Sequence, residues 1–256
     1  MRKKAPDTAR KRVRAPTAAA TAGSRAGLAR SHLVEAALDL LQEAGLDALS
    51  TRRLADRLGV KSPALYWHVR NKDELLGMVA DAICAQMVLP SEGLSFRQRL
   101  EAIAGEYRRV LIAYRDATRL FAEQAPTGPH RIKLYDTAVG VFLDSGFAPP
   151  EAVAMATFYR NYLLGMIAEE TRQSWPTRPE TLRPTVALGI ELSQLGDNAR
   201  DYPNLQGTAG LLADIDPAEL FRIGLKVLLD GMECRLGEIA HPPRAKSSGS
   251  RGKRKT

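Results

Sequence analysis

No run of about 18 apolar residues occurs in the chain, so the sequence predicts no membrane-spanning helix. The start is basic but no apolar segment follows it, so no secretory signal is expected. Only two cysteines are present, Cys84 and Cys234, each within an amphipathic helical pattern. Both read as small buried hydrophobes in a reducing cytoplasm; a redox switch between them is the alternative, and nothing nearby lowers either thiol's pKa. β-branched alternation is scarce, whereas Ala, Leu and Arg are plentiful, which points to an all-α fold. No His, Cys, Asp or Glu cluster has metal-ligand spacing, so neither metal nor cofactor is expected. Ser/His/Asp and Cys/His arrangements, carboxylate pairs in apolar stretches and phosphate-binding glycine loops are also missing, and with them the usual marks of an enzyme. No internal repeat is visible.

What the chain does have is unevenly placed positive charge. Its 256 residues carry a net +8. Residues 1–30 hold nine Lys/Arg and one Asp, and residues 241–256 hold six Lys/Arg and no acid. These ends account for +8 and +6, which leaves −6 for residues 31–240. An acidic helical body with basic tails suits a polyanion such as DNA. Residues 1–26 read as a disordered basic arm and 239–256 as a disordered basic tail. Arg10, Lys11, Arg12 and Arg14 could follow phosphates or enter a minor groove; a solvated arm that only aids solubility is the alternative.

The body is organised around residues 50–72. Ser50 is a good N-cap, and Leu54, Ala55 and Leu58 follow at helical spacing. Gly59 supplies the positive φ that a sharp turn needs. Ser62 and Pro63 then open a second short helix as cap and first position. Leu65 and Val69 would face inward, leaving Lys61, Ala64, Tyr66, Trp67 and His68 on the open side. Between Thr51 and Lys72, six Lys/Arg face one acid, Asp56. Two short helices, a glycine turn and a basic, aromatic outer face read as a helix-turn-helix.

Leu49-Ser50-Thr51-Arg52-Arg53-Leu54-Ala55, Leu58-Gly59-Val60 and Pro63-Ala64-Leu65-Tyr66-Trp67-His68-Val69-Arg70-Asn71-Lys72, with Leu75-Leu76 beyond, closely resemble the DNA-binding domain of the TetR family. The likeness is strongest to its tetracycline-repressor branch. It continues more weakly through Tyr114-Arg115-Asp116-Ala117, Pro126, Leu143-Asp144-Ser145-Gly146-Phe147, Phe221-Arg222-Ile223-Gly224-Leu225-Lys226 and Leu229-Asp230-Gly231-Met232-Glu233. The resemblance implies a three-helix helix-turn-helix domain at 27–87, with its motif near 50–69. It implies a larger helical ligand-binding and dimerisation domain at 95–238. The implied protein is a cytoplasmic bacterial homodimer, associated with the nucleoid through a palindromic double-stranded operator and released by a small-molecule effector. Repressor is the family's common mode, though activation is not separable from it by sequence. An all-α enzyme and a sequence-independent architectural DNA binder are the competing readings.

Periodicity places the remaining helices. Leu33, Val34, Ala37, Leu38 and Leu41 form a first stripe, ended by Gly45. Asn71 caps a helix carrying Leu75, Leu76, Val79, Ile83 and Met87, broken by Pro90 and Gly93. Phe96, Leu100, Ile103, Tyr107, Val110 and Tyr114 make the next stripe, then Ala117–Glu123 a short segment. Ile132 to Leu143 closes at Gly146, and Pro149 opens a long helix. A weaker helix is expected near 185–195, and Asp216 with Pro217 begins the last. Gly224 and Gly231, two turns apart there, would let another helix approach closely. In the TetR family, segments matching 149–171 and 216–237 pack against their copies in a four-helix interface.

By resemblance, Thr51 and Lys72 match phosphate-contacting positions and Arg52 one that reads guanine, for which its paired donors suit O6 and N7. Ser62, Pro63, Ala64 and Tyr66 match the base-facing side. Trp67 and His68 match positions near the backbone or the domain core, and Lys61 lies beside them. The tetracycline-repressor branch has Glu at Lys61, Gln at Ser62 and Thr at Ala64, so the operator should differ. Its magnesium-holding His is replaced by Phe121, and its pocket Asn, Arg and Gln fall near Ile103, Ala125 and Thr137. A metal-bound drug is therefore not expected, and His130 stands alone in a Pro/Gly turn. An apolar or aromatic effector is, with Tyr107, Phe121, Tyr135, Phe158 and Tyr162 as candidate lining; each could equally be plain core.

Overall fold

Helix-forming sequence dominates the computed structural model, which describes residues 18–174, 184–194, 201–205, 208, 211–212 and 214–241. Among these every regular element is a helix. They run α1 (Ala18–Ala44), α2 (Thr51–Leu58), α3 (Ser62–Leu65), α4 (Lys72–Cys84), α5 (Phe96–Ala113), α6 (Ala117–Glu123), α7 (Pro129–Asp144), α8 (Pro149–Ser174), α9 (Pro184–Gln194) and α10 (Pro217–Ala240). A 3-10 turn, Leu46–Ala48, follows α1.

Helix α1 begins at Ala18, inside the stretch expected to be an unstructured arm. Ala has the highest helix propensity, so Ala18, Ala19 and Ala20 extend the helix without help from an apolar stripe. The Arg10–Arg14 run and the tail beyond His241 lie outside the described residues. So do most of the loop between α9 and α10 and the connection after Ser174.

The caps follow the sequence closely. Ser50 accepts from Arg53 N at 3.3 Å, and Gly59 ends α2 in the left-handed region at φ 66°. Asn71 accepts from Glu74 N at 2.8 Å, while the Glu74 carboxylate turns back to Arg70 N, also at 2.8 Å. Two details differ. The residue before α3 is Lys61 rather than Ser62, with no side-chain cap. Helix α4 stops at Cys84, before the Pro90 break, yet Met87 still folds into the core.

Leu33, Ala37, Leu41, Leu54, Ala55, Leu65, Val69, Leu75 and Val79 bury the reading head around one small centre. At about 1.5–3 kcal/mol per fully buried Leu or Val, these side chains carry most of its stability. The centre is continuous through Ile83 and Cys84 with the core of the C-terminal body, where α8 packs against α5, α6, α7 and α10.

Two polar joints add to this continuity. At the first, Asp116 accepts from Leu46 N at 2.8 Å, from a left-handed backbone (φ 55°) unusual for a residue with a side chain. Gly45 lies so close that a Cβ there would meet the Asp116 carboxylate at 2.7 Å. At the second, Asp81 of α4 accepts from the amides of His130 and Arg131, at 2.9 and 3.0 Å, in the first turn of α7. A carboxylate there satisfies orphan N–H groups and complements the helix dipole.

Candidate DNA-reading face and effector cavity

Leu65 and Val69 face inward, so the helical period turns their neighbours out. Tyr66 is 56% and Trp67 88% exposed. A tryptophan left that bare is not core packing. Lys61 and Pro63 are exposed beside them, and His68 is half-buried. The chain leaves α3 through a tightened turn, with His68 N bonded to Leu65 O at 2.9 Å. The side chains of Ser62 and Ala64 lie outside the described residues.

Thr51 is half-exposed at the first turn of α2, and Arg52, Arg53 and Lys72 are exposed. Charge count alone overstates the free cations. Arg57 makes two bonds to Glu43 of α1, at 2.6 and 2.7 Å, and lies 3.6 Å from Asp39. Hydrogen bonding to Arg57 holds the Glu43 carboxyl below its ordinary range. Arg57 therefore fastens α2 to α1. Among the described residues, Arg52, Arg53, Lys61, Arg70 and Lys72 make no ion pair. Cations without internal partners, around exposed aromatic rings, can meet phosphates and base edges.

The body holds a narrow cavity of about 20 Å³, room for little more than one water, so a ligand enters only as the wall moves apart. Three of the five expected lining residues are there: Tyr107, Phe121 and Tyr135. Tyr107 and Phe121 meet edge to face, with ring centroids 6.2 Å apart. Burial pushes the Tyr107 phenol up to about 12, so it stays a neutral donor. The Tyr135 hydroxyl lies 2.8 Å from Thr157 Oγ1 on α8. Ile103 is also in the wall.

Phe158 and Tyr162 are not in the wall. Successive helical residues point about 100° apart, and on α8 it is Tyr159 that turns inward, bonded to Leu100 O. Phe158 is 55% exposed on the opposite side. Tyr162 packs beside Phe221 and donates to its carbonyl at 3.0 Å, where a Cβ on Gly224 would meet the Tyr162 hydroxyl at 2.5 Å. The close approach expected at Gly224 is thus made within the chain, while Gly231 faces open space.

Sequence reading missed two cavity residues, Arg131 and Arg160. Arg131 is only 4% exposed. It donates to the carbonyls of Ala125, Gln124 and Phe121 at 2.8, 2.8 and 3.2 Å, capping α6, and lies 4.8 Å over the Phe121 ring. Desolvation lowers its pKa. Arg160 donates to the same Phe121 carbonyl at 2.7 Å. A basic residue in an amphipathic pattern normally reads as solvated; the fold turns Arg131 inward and leaves Arg160 half-buried at the rim, its Nη1 also donating to Asn161 Oδ1 at 3.2 Å.

Two smaller expectations are corrected. His130 is exposed but not alone, since its Nδ1 lies 2.9 Å from Asp81 Oδ2. Cys84 is buried, its thiol pushed up to about 12 chiefly by desolvation, whereas Cys234 is exposed on the outer side of α10. Both are free. No group of three or more His, Cys, Asp or Glu able to hold a metal occurs among the described residues. Nor is any described helix long and apolar enough to cross a membrane.

An outer face on α8 and α10 completes the geometry. Val153 and Phe158 on α8, with Leu220, Ile223 and Val227 on α10, are apolar and exposed. Gly165 on α8 and Gly231 on α10 each have open space where a Cβ would stand.

Comparison with known proteins matches this arrangement. Residues 33–79 match the bacterial regulatory proteins of the tetR family, and residues 89–236 the tetracyclin repressor-like C-terminal domain. The class A tetracycline repressor protein from transposon 1721 of Escherichia coli is 33% identical over 206 residues, 79% of this chain and 89% of that one. An HTH-type transcriptional regulator of Saccharopolyspora erythraea is 32% identical over 182 residues, 70% of this chain and 74% of its own. The crystal structure of the Streptomyces coelicolor TetR family protein ActR in complex with actinorhodin superposes with a TM-score of 0.71 at 27% identity, covering 82% of this chain and 98% of that one. The chain belongs to the tetR family: it is a DNA-binding transcriptional regulator with a tetracyclin repressor-like C-terminal domain, and not an enzyme.

Proposed function

We propose that this chain is a repressor whose two copies read a palindromic operator and release it when an aromatic effector enters the body cavity without a metal. Regulators of this family bind operator DNA as dimers. The observation that carries the reading is the outward face of residues 61–72, with exposed Tyr66 and Trp67 among cations that have no internal partner. The exposed apolar face of α8 and α10 supports a homodimer. Two-fold symmetry then requires symmetric half-sites. Arg52 reads a base pair, Thr51 and Lys72 hold phosphates, and Lys61, Ser62, Pro63, Ala64, Tyr66, Trp67 and His68 form the rest of the contact. Such a protein works in the bacterial cytoplasm, held at the nucleoid by its operator.

The effector reading rests on the cavity and on its connection to the head. Arg131 lines the cavity with its side chain and meets Asp81 of α4 through its backbone. A ligand shifts the reading heads only if it binds the two arrangements unequally. Relatives named as tetracycline repressors, and ActR solved with actinorhodin, support a small-molecule effector here.

Selecting duplexes from a random pool gives the test. A palindrome should emerge, and sedimentation should show a dimer. Arg52→Ala should then lose about 1–3 kcal/mol on the best site and relax one base pair. Lys72→Ala should weaken all sequences alike and reduce the salt slope by about one. An Arg52→Ala protein with unchanged base preference sinks the assignment of Arg52, and a monomer bound to an asymmetric site sinks the symmetric reader.

A further inference from the structure

We propose that the effector cavity takes a ligand with an aromatic body and an anionic group, and that Arg131 and Arg160 together hold the anion. The inference rests on the reading that this cavity is the effector site. Its carrying observation is two guanidinium groups sharing one neutral acceptor, the Phe121 carbonyl, at 3.2 and 2.7 Å. Neither arginine makes an ion pair among the described residues. No Asp or Glu lines the cavity. The Asp81 carboxylate meets Arg131 through its backbone amide and also bonds the amide and Nδ1 of His130.

The carbonyls that satisfy Arg131 are the exposed end of α6, which offers only about half a negative charge. Arg131 is buried against that end and Arg160 is half-buried beside it, and neither charge meets a carboxylate in an ion pair. Burying a cation without a counter-charge is costly, and adjacent like charges raise that cost. A carboxylate, sulfonate or phenolate entering between them removes both penalties and gains charge-assisted hydrogen bonds. The neutral hydroxyl of Tyr107, in the same wall, adds a donor suited to the same anion. The remaining wall matches an aromatic body in chemistry once it parts to admit one: Phe121 and Tyr107 supply rings, and Ile103, Leu134 and Leu163 supply aliphatic contact.

A matched pair of fluorescent probes tests this on the full-length protein. Anilinonaphthalene sulfonate and phenylnaphthylamine share a ring system and differ in the sulfonate. The charged probe should bind the wild-type protein at least about tenfold more tightly, the worth of one charge-assisted pair. Arg160→Gln should collapse that preference to within about twofold while leaving the neutral probe's affinity unchanged, since only a hydrogen-bonded charge is removed. Arg131→Lys keeps the charge but loses the fork, and should reduce the preference part-way. Arg222→Gln, on an exposed arginine of α10, should change neither probe. Circular dichroism and operator binding of the same samples establish that each variant is folded. Equal affinity for the two probes in the wild type, or a preference that survives Arg160→Gln, overturns the proposal. If the neutral probe binds and weakens operator binding while the charged one does not, the anion inference falls and the effector site stands. If neither probe binds, both fall.

Discussion

The arginines of the reading head and of the body have the same chemistry and opposite surroundings. In the head, Arg52, Arg53 and Arg70 project without an ion-pair partner. In the body, every described arginine from Arg97 onward is bonded to an acid or to a carbonyl. Arg97 holds Asp230 and Glu233, Arg99 holds Asp144, Arg108 holds Glu170 and Arg235 holds Glu151. Arg131 and Arg160 apart, the body pairs its arginines within and between its helices, whereas the head keeps its cations for another molecule. Arg57 marks the border: it lies in the basic motif but is consumed by Glu43. Charge count along the sequence does not separate these uses; partnership in the fold does.

The aromatic residues divide the same way, and there the contrast is easiest to break. Phe121 is 1% exposed and Trp67 is 88% exposed. Phe121→Ala should cost about 3–5 kcal/mol of stability, read by urea denaturation, because it empties a packed wall of the body. Trp67→Ala should move stability by no more than about 0.5 kcal/mol. Its effect should appear in operator binding instead, as about a tenfold loss, or about 1.4 kcal/mol. A Trp67→Ala protein that unfolds easily and binds DNA normally would reverse the comparison.

Much of this division was legible in the sequence and some was not. The reading head was, because its signals are local: a Ser50 cap, a Gly59 turn and inward Leu65 and Val69 lie within 20 residues of one another. Tyr107 and Tyr135 could be placed at the cavity because each sits on an apolar stripe that faces the core, and Phe121 because it stands where the resemblance puts a ligand-holding residue. Phe158 and Tyr162 could not be told from Tyr159, because α8 is apolar around much of its circumference and its period selects no single face. Arg131 and Arg160 carried no apolar signal at all. Their placement depends on the carbonyl ends of α6, a non-local fact. The helical start at Ala18 was missed because alanine propensity forms a helix without leaving an apolar stripe to read.

The Asp81 joint is where head and body exchange force, and the next prediction addresses it. Asp81→Ala removes the acceptor of two amides at the start of α7, so stability should fall by about 1–2 kcal/mol, the usual worth of a helix cap. Gly128→Ala attacks the same joint from the other side, since its Cβ would lie 2.2 Å from the Asp81 carboxylate. Gly128 has an ordinary φ of −78°, so the damage is collision and not backbone strain. Both variants should keep a folded head, and the urea transition read by amide hydrogen exchange in α1–α4 should separate from the one read in α5–α8. Coincident transitions in both variants would show that the shared apolar core couples the two parts without the joint.

The smallest effect belongs to the arginine network on the outer surface. Arg97 reaches from α5 to α10, bonding Asp230 at 2.5 Å and Glu233 at 2.6 Å, with its side chain about a quarter exposed (27%). Hydrogen bonding to Arg97 holds the Glu233 carboxyl below its ordinary range, and Lys226 with Arg97 does the same to Asp230. A carboxyl whose pKa is lowered by folding stabilises the folded chain above its unfolded pKa. That contribution disappears as the pH falls through the lowered value, when the folded state also takes up the proton. Arg97→Met should therefore cost most near neutrality and least in acid. Solvent and salt screen a pair this exposed, so the cost at neutral pH should not exceed about 1 kcal/mol and should shrink as salt is added. The methionine keeps much of the aliphatic stem, so packing is largely preserved and the difference reports the charge. A loss of several kcal/mol, indifferent to salt and pH, would mean that Arg97 acts through packing, and that the body's cations are not the electrostatic fasteners described above.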